Sequence, residues 1–209
     1  ELAKREEERF GGAGAGALER MPPLRPLAAL GSGRVAFPEL VSRPDAGKPV
    51  WKIRVVELSR PGDKGRLLPL EHQGVVAALA ATADGRYLAS ADASGRVALF
   101  DLAGDRPPLE WEVKPMAEAV AVFPGGKRVA VAAAADLAGG PPRIEIWDVA
   151  PQRKVATRTV AAPVRALRAS PDGRWLAWSG AADHAVTVER AESLATAEAE
   201  VPKGGRRRL

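Results

Sequence analysis

Short apolar runs, bounded by Gly, Pro, Asp or Ser and alternating in places with polar residues, recur through the middle of the chain. They are too short for helices, whose apolar positions fall three and four apart over longer stretches, and they predict β-strands. The runs also repeat. Val76-Ala77-Ala78-Leu79 leads to Asp84-Gly85-Arg86-Tyr87-Leu88-Ala89-Ser90, and Val164-Arg165-Ala166-Leu167 leads to Asp172-Gly173-Arg174-Trp175-Leu176-Ala177-Trp178. The second set lies 88 residues after the first without slipping. That is two periods of about 44, the length of a repeat that must stack on its neighbours to bury its faces.

A third copy lies between them, Ala119-Val120-Ala121-Val122-Phe123 running into Pro124-Gly125-Gly126-Lys127-Arg128-Val129-Ala130-Val131. A fainter one comes first, with Leu24, Leu27 and Gly33-Arg34-Val35-Ala36-Phe37. The anchor glycines are Gly33, Gly85, Gly126 and Gly173. Asp84-Gly85, Gly125-Gly126 and Asp172-Gly173 stand between apolar runs, as tight hairpin turns require. Each copy continues into a second run: Ile53-Arg54-Val55-Val56-Glu57-Leu58, Val97-Ala98-Leu99-Phe100-Asp101-Leu102, Ile144-Glu145-Ile146-Trp147-Asp148-Val149 and, weakest, Ala185-Val186-Thr187-Val188-Glu189. Each unit therefore reads as strands a, b, c and d, with strand d expected at 66–70, 109–113, 155–160 and 194–201. The expected fold is all-β, a β-propeller of four four-stranded antiparallel blades. Blades are expected at 24–70, 75–113, 117–160 and 164–201, preceded by a linker or the end of an upstream helix at 1–23 and followed by a basic tail at 202–209.

Glu71-His72, Asp84-Gly85, Leu88-Ala89-Ser90, Gly95 and Phe100-Asp101 resemble the WD-repeat (G-protein β-like) propeller family, and Trp147-Asp148 is the dipeptide that names it. The resemblance covers about residues 24 to 201 and departs in detail: His72 is the one opening His, Glu71 replaces Gly, and Phe100 replaces Trp. The family's hydrogen-bonded His, Ser or Thr, Asp and Trp set is thus incomplete in every unit. The segment from Pro171 to Trp178 also suits propellers that precede peptidase domains or accompany periplasmic translocation proteins. WD-repeat relatives most often have seven blades, so four imply an arc of a larger ring, with a closed four-bladed ring as the alternative.

Composition narrows the chemistry. The 209 residues hold no Cys, which excludes disulfides, thiolate metal sites and a Cys nucleophile but does not fix the compartment. No run is long and apolar enough to suggest a membrane-spanning helix. The net charge of +5 is scattered apart from Arg206-Arg207-Arg208, with no aromatic platform, so no nucleic-acid partner is expected. Arg exceeds Lys and Asn is absent, which reads as the coding bias of a GC-rich, bacterial genome. The chain opens on Glu1, so a processed or partial chain is expected.

Two His, His72 and His184, stand apart with no further metal-ligand spacing, so no metal or cofactor is expected. In the family His72 would bond within its blade. Ser90, Ser94, Ser170 and Ser179 lack a nucleophile elbow or an assignable base. The glycines from Gly11 to Gly16 lack the Lys-Ser/Thr of a phosphate loop. Asp92, Asp101, Asp148 and Asp183 recur at turn and strand-end positions, which points to local hydrogen bonding. Trp147 and Trp175 are expected to pack between blades. Insertions at 38–50 and 136–142 lengthen two b–c connections and are read as tolerated surface loops. The expected function is a non-catalytic scaffold for a protein or peptide partner, met at the loop edges by His72, Gln73, Arg96, Lys114, Arg143 and His184. Gly33, Gly85, Gly126, Gly173, Asp101, Trp147 and Asp148 are the structural repeat positions. The alternative function is a propeller attached to a hydrolase or peptidase domain. An open arc would also expose blade edges to self-association.

Overall fold

The computed structural model describes residues 26–31, 33–41, 50–60, 62–136, 140–180 and 185–196. They form four antiparallel sheets, each built from consecutive strands in chain order. Blade one holds β1 (Ala28–Leu30), β2 (Arg34–Val41), β3 (Val50–Glu57) and β4 (Arg66–Leu67). Blade two holds β5 (Val76–Ala81), β6 (Tyr87–Asp92), β7 (Arg96–Asp101) and β8 (Leu109–Glu112). Blade three holds β9 (Ala117–Val122), β10 (Arg128–Ala133), β11 (Arg143–Val149) and β12 (Gln152–Thr159). Blade four holds β13 (Val164–Ala169), β14 (Trp175–Gly180) and β15 (Val186–Arg190), followed by the short helix α1 (Ala191–Thr196).

The innermost strands pack in series, β1 on β5, β5 on β9 and β9 on β13, with no comparable packing of β13 on β1. The sheets form an open arc of a β-propeller. Among the described residues no helix is long and apolar enough to cross a membrane.

Each blade presents two faces, and alternation along a strand sends neighbouring residues to opposite ones. Leu88, Phe100 and Leu102 of blade two face back onto Ala28, Leu30, Ile53 and Val55 of blade one. Ala89, Ala91, Val97 and Leu99 face forward onto Val120, Val129 and Val131 of blade three. Ala130, Ala132, Ile144 and Ile146 of blade three face forward onto Leu167, Leu176 and Trp178 of blade four. The forward face pairs Ala on strand b with Val, Leu or Ile on strand c, leaving a trough that the next blade fills. Each fully buried Leu, Ile or Val in these layers contributes about 1.5–3 kcal/mol relative to exposure.

The a–b turns lock the spacing. Gly85 has φ +65°, and a Cβ there would meet the Gly31 amide nitrogen of blade one at 2.4 Å. Gly126 has φ +66° and lies under the Tyr87 ring of blade two, where a Cβ would come within 2.5 Å. Both positions need positive φ and close approach together, which Gly alone supplies. Asp84 Oδ1 and Asp172 Oδ1 each accept a backbone N–H two residues on, from Arg86 and Arg174 at 3.0 Å. Asp101 and Asp148 end strand c in ion pairs with Arg86 and Arg128, at 3.0 Å in each case.

Four details differ from the sequence-based expectation. Leu194 to Thr196 are helical instead of opening a fourth strand, and the fourth sheet has three strands among the described residues. The rest of the expected strand, 197–201, lies outside them. Second, Pro38 to Val41 and Val50 extend the β2–β3 hairpin and are not loop. Pro38 is accepted there because Ile53, its partner, turns its carbonyl away to Leu68 N at 2.8 Å. The Pro38–Ile53 pair therefore exchanges no ladder bond, and β1 begins only at Ala28 opposite Ala36. Third, β4 is only two residues long, with Pro69 unable to donate beyond it. Fourth, Trp175 is partly exposed on the outer face of blade four with Arg190 over its ring at 5.4 Å, and does not pack between blades.

Candidate functional site

One rim of the arc gathers the loops that enter strand a and those that join strands b and c. Between blades one and two the chain stays zipped to β3 beyond the end of β4. His72 N donates to Trp51 O at 2.8 Å and Trp51 N to His72 O at 3.2 Å. The His72 side chain then turns inward and has no exposed surface. Its Nδ1 lies 2.9 Å from Asp92 Oδ2 and its Nε2 2.9 Å from Ser90 Oγ. The other Asp92 oxygen accepts the backbone N–H groups of Ser94 at 2.9 Å and Arg96 at 3.1 Å. One carboxylate thus ties the entry loop to the b–c turn.

Burial alone would raise the pKa of Asp92. The bonds from His72, Ser94 and the Arg96 N–H outweigh it and hold the carboxyl below the usual aspartate range. His72 Nδ1 donates to the ionised Asp92, and the Ser90 hydroxyl lies against Nε2.

Asp92, His72 and Ser90 stand in the order of a nucleophile relay. Ser90 has no exposed surface, however, so its Oγ meets no substrate in this structure, and the trio acts as a brace. Two expectations are corrected here. His72 does not face a partner, since it is enclosed with both nitrogens engaged. Ser90 does have a base within reach, and it comes from 18 residues upstream.

The two arginines expected at the loop edge are also committed within the fold. Arg96 sends Nε to Glu110 Oε2 at 2.7 Å and Nη1 to Glu71 O at 2.9 Å. Arg143 sends Nε to Glu145 Oε1 at 2.8 Å and Nη2 to Lys114 O at 2.5 Å. Each clamps the loop that enters its own blade. Gln73 and Lys114 are exposed on the same rim, and His184 lies outside the described residues.

Arg96, Gln73, Lys52, Glu71, Pro69 and Leu70 line an open depression of about 380 Å³ at this rim. Lys52 pairs with Glu71 Oε1 at 3.2 Å, so the depression carries charges of both signs. Lys52 and Glu71 are not among the expected contacts. Strand register aligns Lys52, Arg96 and Arg143 on strand c, one residue before Ile53, Val97 and Ile144. That recurring cation was visible in the sequence. On the arc axis the strand a edges, with Leu27, Ala77, Glu118, Arg165 and Arg168, line a smaller space of about 170 Å³. Among the described residues no group of three or more His, Asp or Glu is placed to hold a metal ion.

The family model of the WD domain, G-beta repeat, matches residues 66–101 and 154–188. Each match begins on the outer strand of one blade and runs through strands a, b and c of the next. The chain carries WD repeats. No curated protein matches it in sequence. Solved structures share the fold of these WD repeats. Hydrazine synthase of Kuenenia stuttgartiensis superposes with a TM-score of 0.58 at 19% identity, over 80% of this chain and 46% of that one. Sqt1 of Chaetomium thermophilum gives 0.55 at 22% identity, over 84% and 45%. The same protein bound to the N-terminus of the ribosomal protein L10 gives 0.56 at 19%, over 86% and 48%. The chain spans just under half the length of each. At these identities the likeness speaks to the fold.

Proposed function

We propose that the chain is a non-catalytic scaffold that recognises an extended protein segment at the rim between blades one and two. The observation that carries this reading is the open depression lined by Lys52, Glu71, Gln73 and Arg96. Its walls are held before any partner arrives: His72 and Asp92 fix the entry loop, and Arg96 clamps Glu71. A partner therefore loses little entropy in ordering its receptor. Lys52 and Glu71 offer one charge of each sign, and Gln73 offers an amide donor and acceptor suited to a peptide backbone. The Sqt1 structure bound to the N-terminus of a ribosomal protein supports a peptide as the kind of ligand.

A phage-displayed library of random peptides, selected on the purified chain, tests this. Selected peptides are expected to lose at least tenfold in affinity on Lys52→Glu or Gln73→Ala. They are expected to bind unchanged after Asp105→Lys in the c–d loop of the opposite rim. Peptides indifferent to both rim variants, or no selected peptide at all, would overturn the reading.

A further inference from the structure

Strand a carries the same irregularity in blades two, three and four. Val76 pairs with Asp92 and Ala78 with Ala91, so Ala77 has no partner on strand b. Ala117 pairs with Ala133 and Ala119 with Ala132, which leaves Glu118 over. Val164 pairs with Gly180 and Ala166 with Ser179, which leaves Arg165 over. Ala91, Ala132 and Ser179 in turn stand opposite Val97, Ile144 and Val186, so the three extra residues occupy equivalent positions. A bulge of this kind leaves one residue outside the ladder and re-aims its side chain. Here it does so at one level of the arc, just inside the rim where the entry loops meet strand a.

The space of about 170 Å³ on the arc axis is lined by these three residues and by the two that follow each of them. Blades stack face on face, so blades added on either side would leave these strand a edges turned to the axis. Ala77 is small and leaves room, while Glu118 and Arg165 bring opposite charges from neighbouring blades. Glu118 is partly buried, and its Oε2 is enclosed with no hydrogen-bond partner among the described residues. An enclosed carboxylate oxygen loses its hydration and needs a donor in return. Arg165 is exposed and enters no ion pair among the described residues, so its guanidinium is open to an anion. Arg168 borders the same space but is turned back, with Nη1 donating to Leu167 O at 2.9 Å.

We propose that this channel mouth binds a small zwitterion, a free α-amino acid with a short aliphatic side chain. Its ammonium donates to Glu118 and its carboxylate accepts from Arg165. Its side chain lies against the aliphatic wall of Leu27, Ala77 and Val120. A lone cation would leave Arg165 unanswered and a lone anion would leave Glu118 so, whereas a zwitterion satisfies both. The size agrees, because about 170 Å³ falls below the range of about 300–1,000 Å³ that holds drug-sized ligands. The site shares no residue with the depression lined by Lys52, Glu71, Gln73 and Arg96, so it stands or falls apart from the peptide reading.

An NMR titration of the purified chain with L-valine tests it. L-Valine is expected to bind with a Kd of about 1 mM, in keeping with so small a ligand. Isobutylamine, which is valine without the carboxylate, and 3-methylbutanoate, which is valine without the ammonium, are each expected to bind at least tenfold more weakly. Glu118→Gln and Arg165→Gln are each expected to cost valine at least tenfold, with the circular dichroism of the parent retained. Arg165 is exposed and lies outside the ladder, so Arg165→Gln carries the test even where Glu118→Gln does not fold. No binding of L-valine, equal binding of either half-ligand, or a valine affinity unchanged in Arg165→Gln would overturn the inference.

Discussion

Replacing Asp92 by Ala is the sharpest test of how the rim is built. The carboxylate receives His72 Nδ1 at 2.9 Å and the backbone N–H groups of Ser94 and Arg96 at 2.9 and 3.1 Å. His72 is fully enclosed, so its stranded donor has no water to turn to, a loss of about 1–3 kcal/mol. The two turn N–H groups are only partly buried and recover some hydration, so together they add about 1–2 kcal/mol. The sum, about 2–5 kcal/mol, is a large share of a domain's total stability. Urea unfolding followed by circular dichroism reads it. With a slope of about 2 kcal/mol per molar, the midpoint should fall by roughly 1–2.5 M. His72→Ala should couple to it in a double-mutant cycle by at least about 1 kcal/mol. The pH dependence has a fixed sign. The carboxyl is held below its unfolded value near 3.9, so its contribution is whole above about pH 4 and fades as pH falls through the native value. The advantage of the parent over Asp92→Asn should therefore shrink as pH falls below about 4. A loss under about 1 kcal/mol, or additive single effects, would refute the brace.

The a–b turns make a paired prediction. Gly85→Ala should destabilise by more than about 3 kcal/mol, because positive φ and a backbone collision add, whereas Gly125→Ala, at φ +75° in open space, should lose only about 1 kcal/mol. Matching thermal shifts for the two variants would remove the inter-blade contact from the explanation. Arg96→Ala should speed amide exchange in the loop around Glu71, and Arg143→Ala in the loop around Lys114, each with about 1 kcal/mol of lost stability. Exchange unchanged in both loops would show that the clamps carry nothing.

Much of the architecture was legible because it rests on local signals repeated in register. Gly85, Gly126 and Gly173 mark turns that no other residue fits as well, and the runs that follow them fall on strands b and c. What escaped the sequence depends on contacts distant along the chain. His72 finds Ser90 and Asp92 at separations of 18 and 20 residues, and nothing local says that its ring turns inward. Arg96 and Arg143 read as free rim cations because one acceptor of each is a backbone carbonyl of an earlier loop. The end of blade four was readable and went unread. Ala191-Glu192-Ser193-Leu194-Ala195 is rich in helix formers and free of β-branched residues, while Ala191 and Leu194 bury against blade three. Strand pairing in the other three units favoured a strand there, and local propensity prevailed.

The turn glycines mark where the molecule tolerates sequence change and where it does not. At the a–b rim, backbone of one blade rests on backbone or ring of the one before, Gly85 on Gly31 and Gly126 on Tyr87. A Cβ at Gly85 or Gly126 would press on the neighbouring blade. At the b–c rim the loop closed by Asp136 on Gly140, at 2.7 Å, is fastened at its own base. Recognition can therefore diversify on one side without disturbing the spacing that the other side sets. A designer grafting new specificity onto this scaffold would insert residues after Asp136 and spare the turn at Gly95, where a Cβ would meet Val113 O at 2.2 Å.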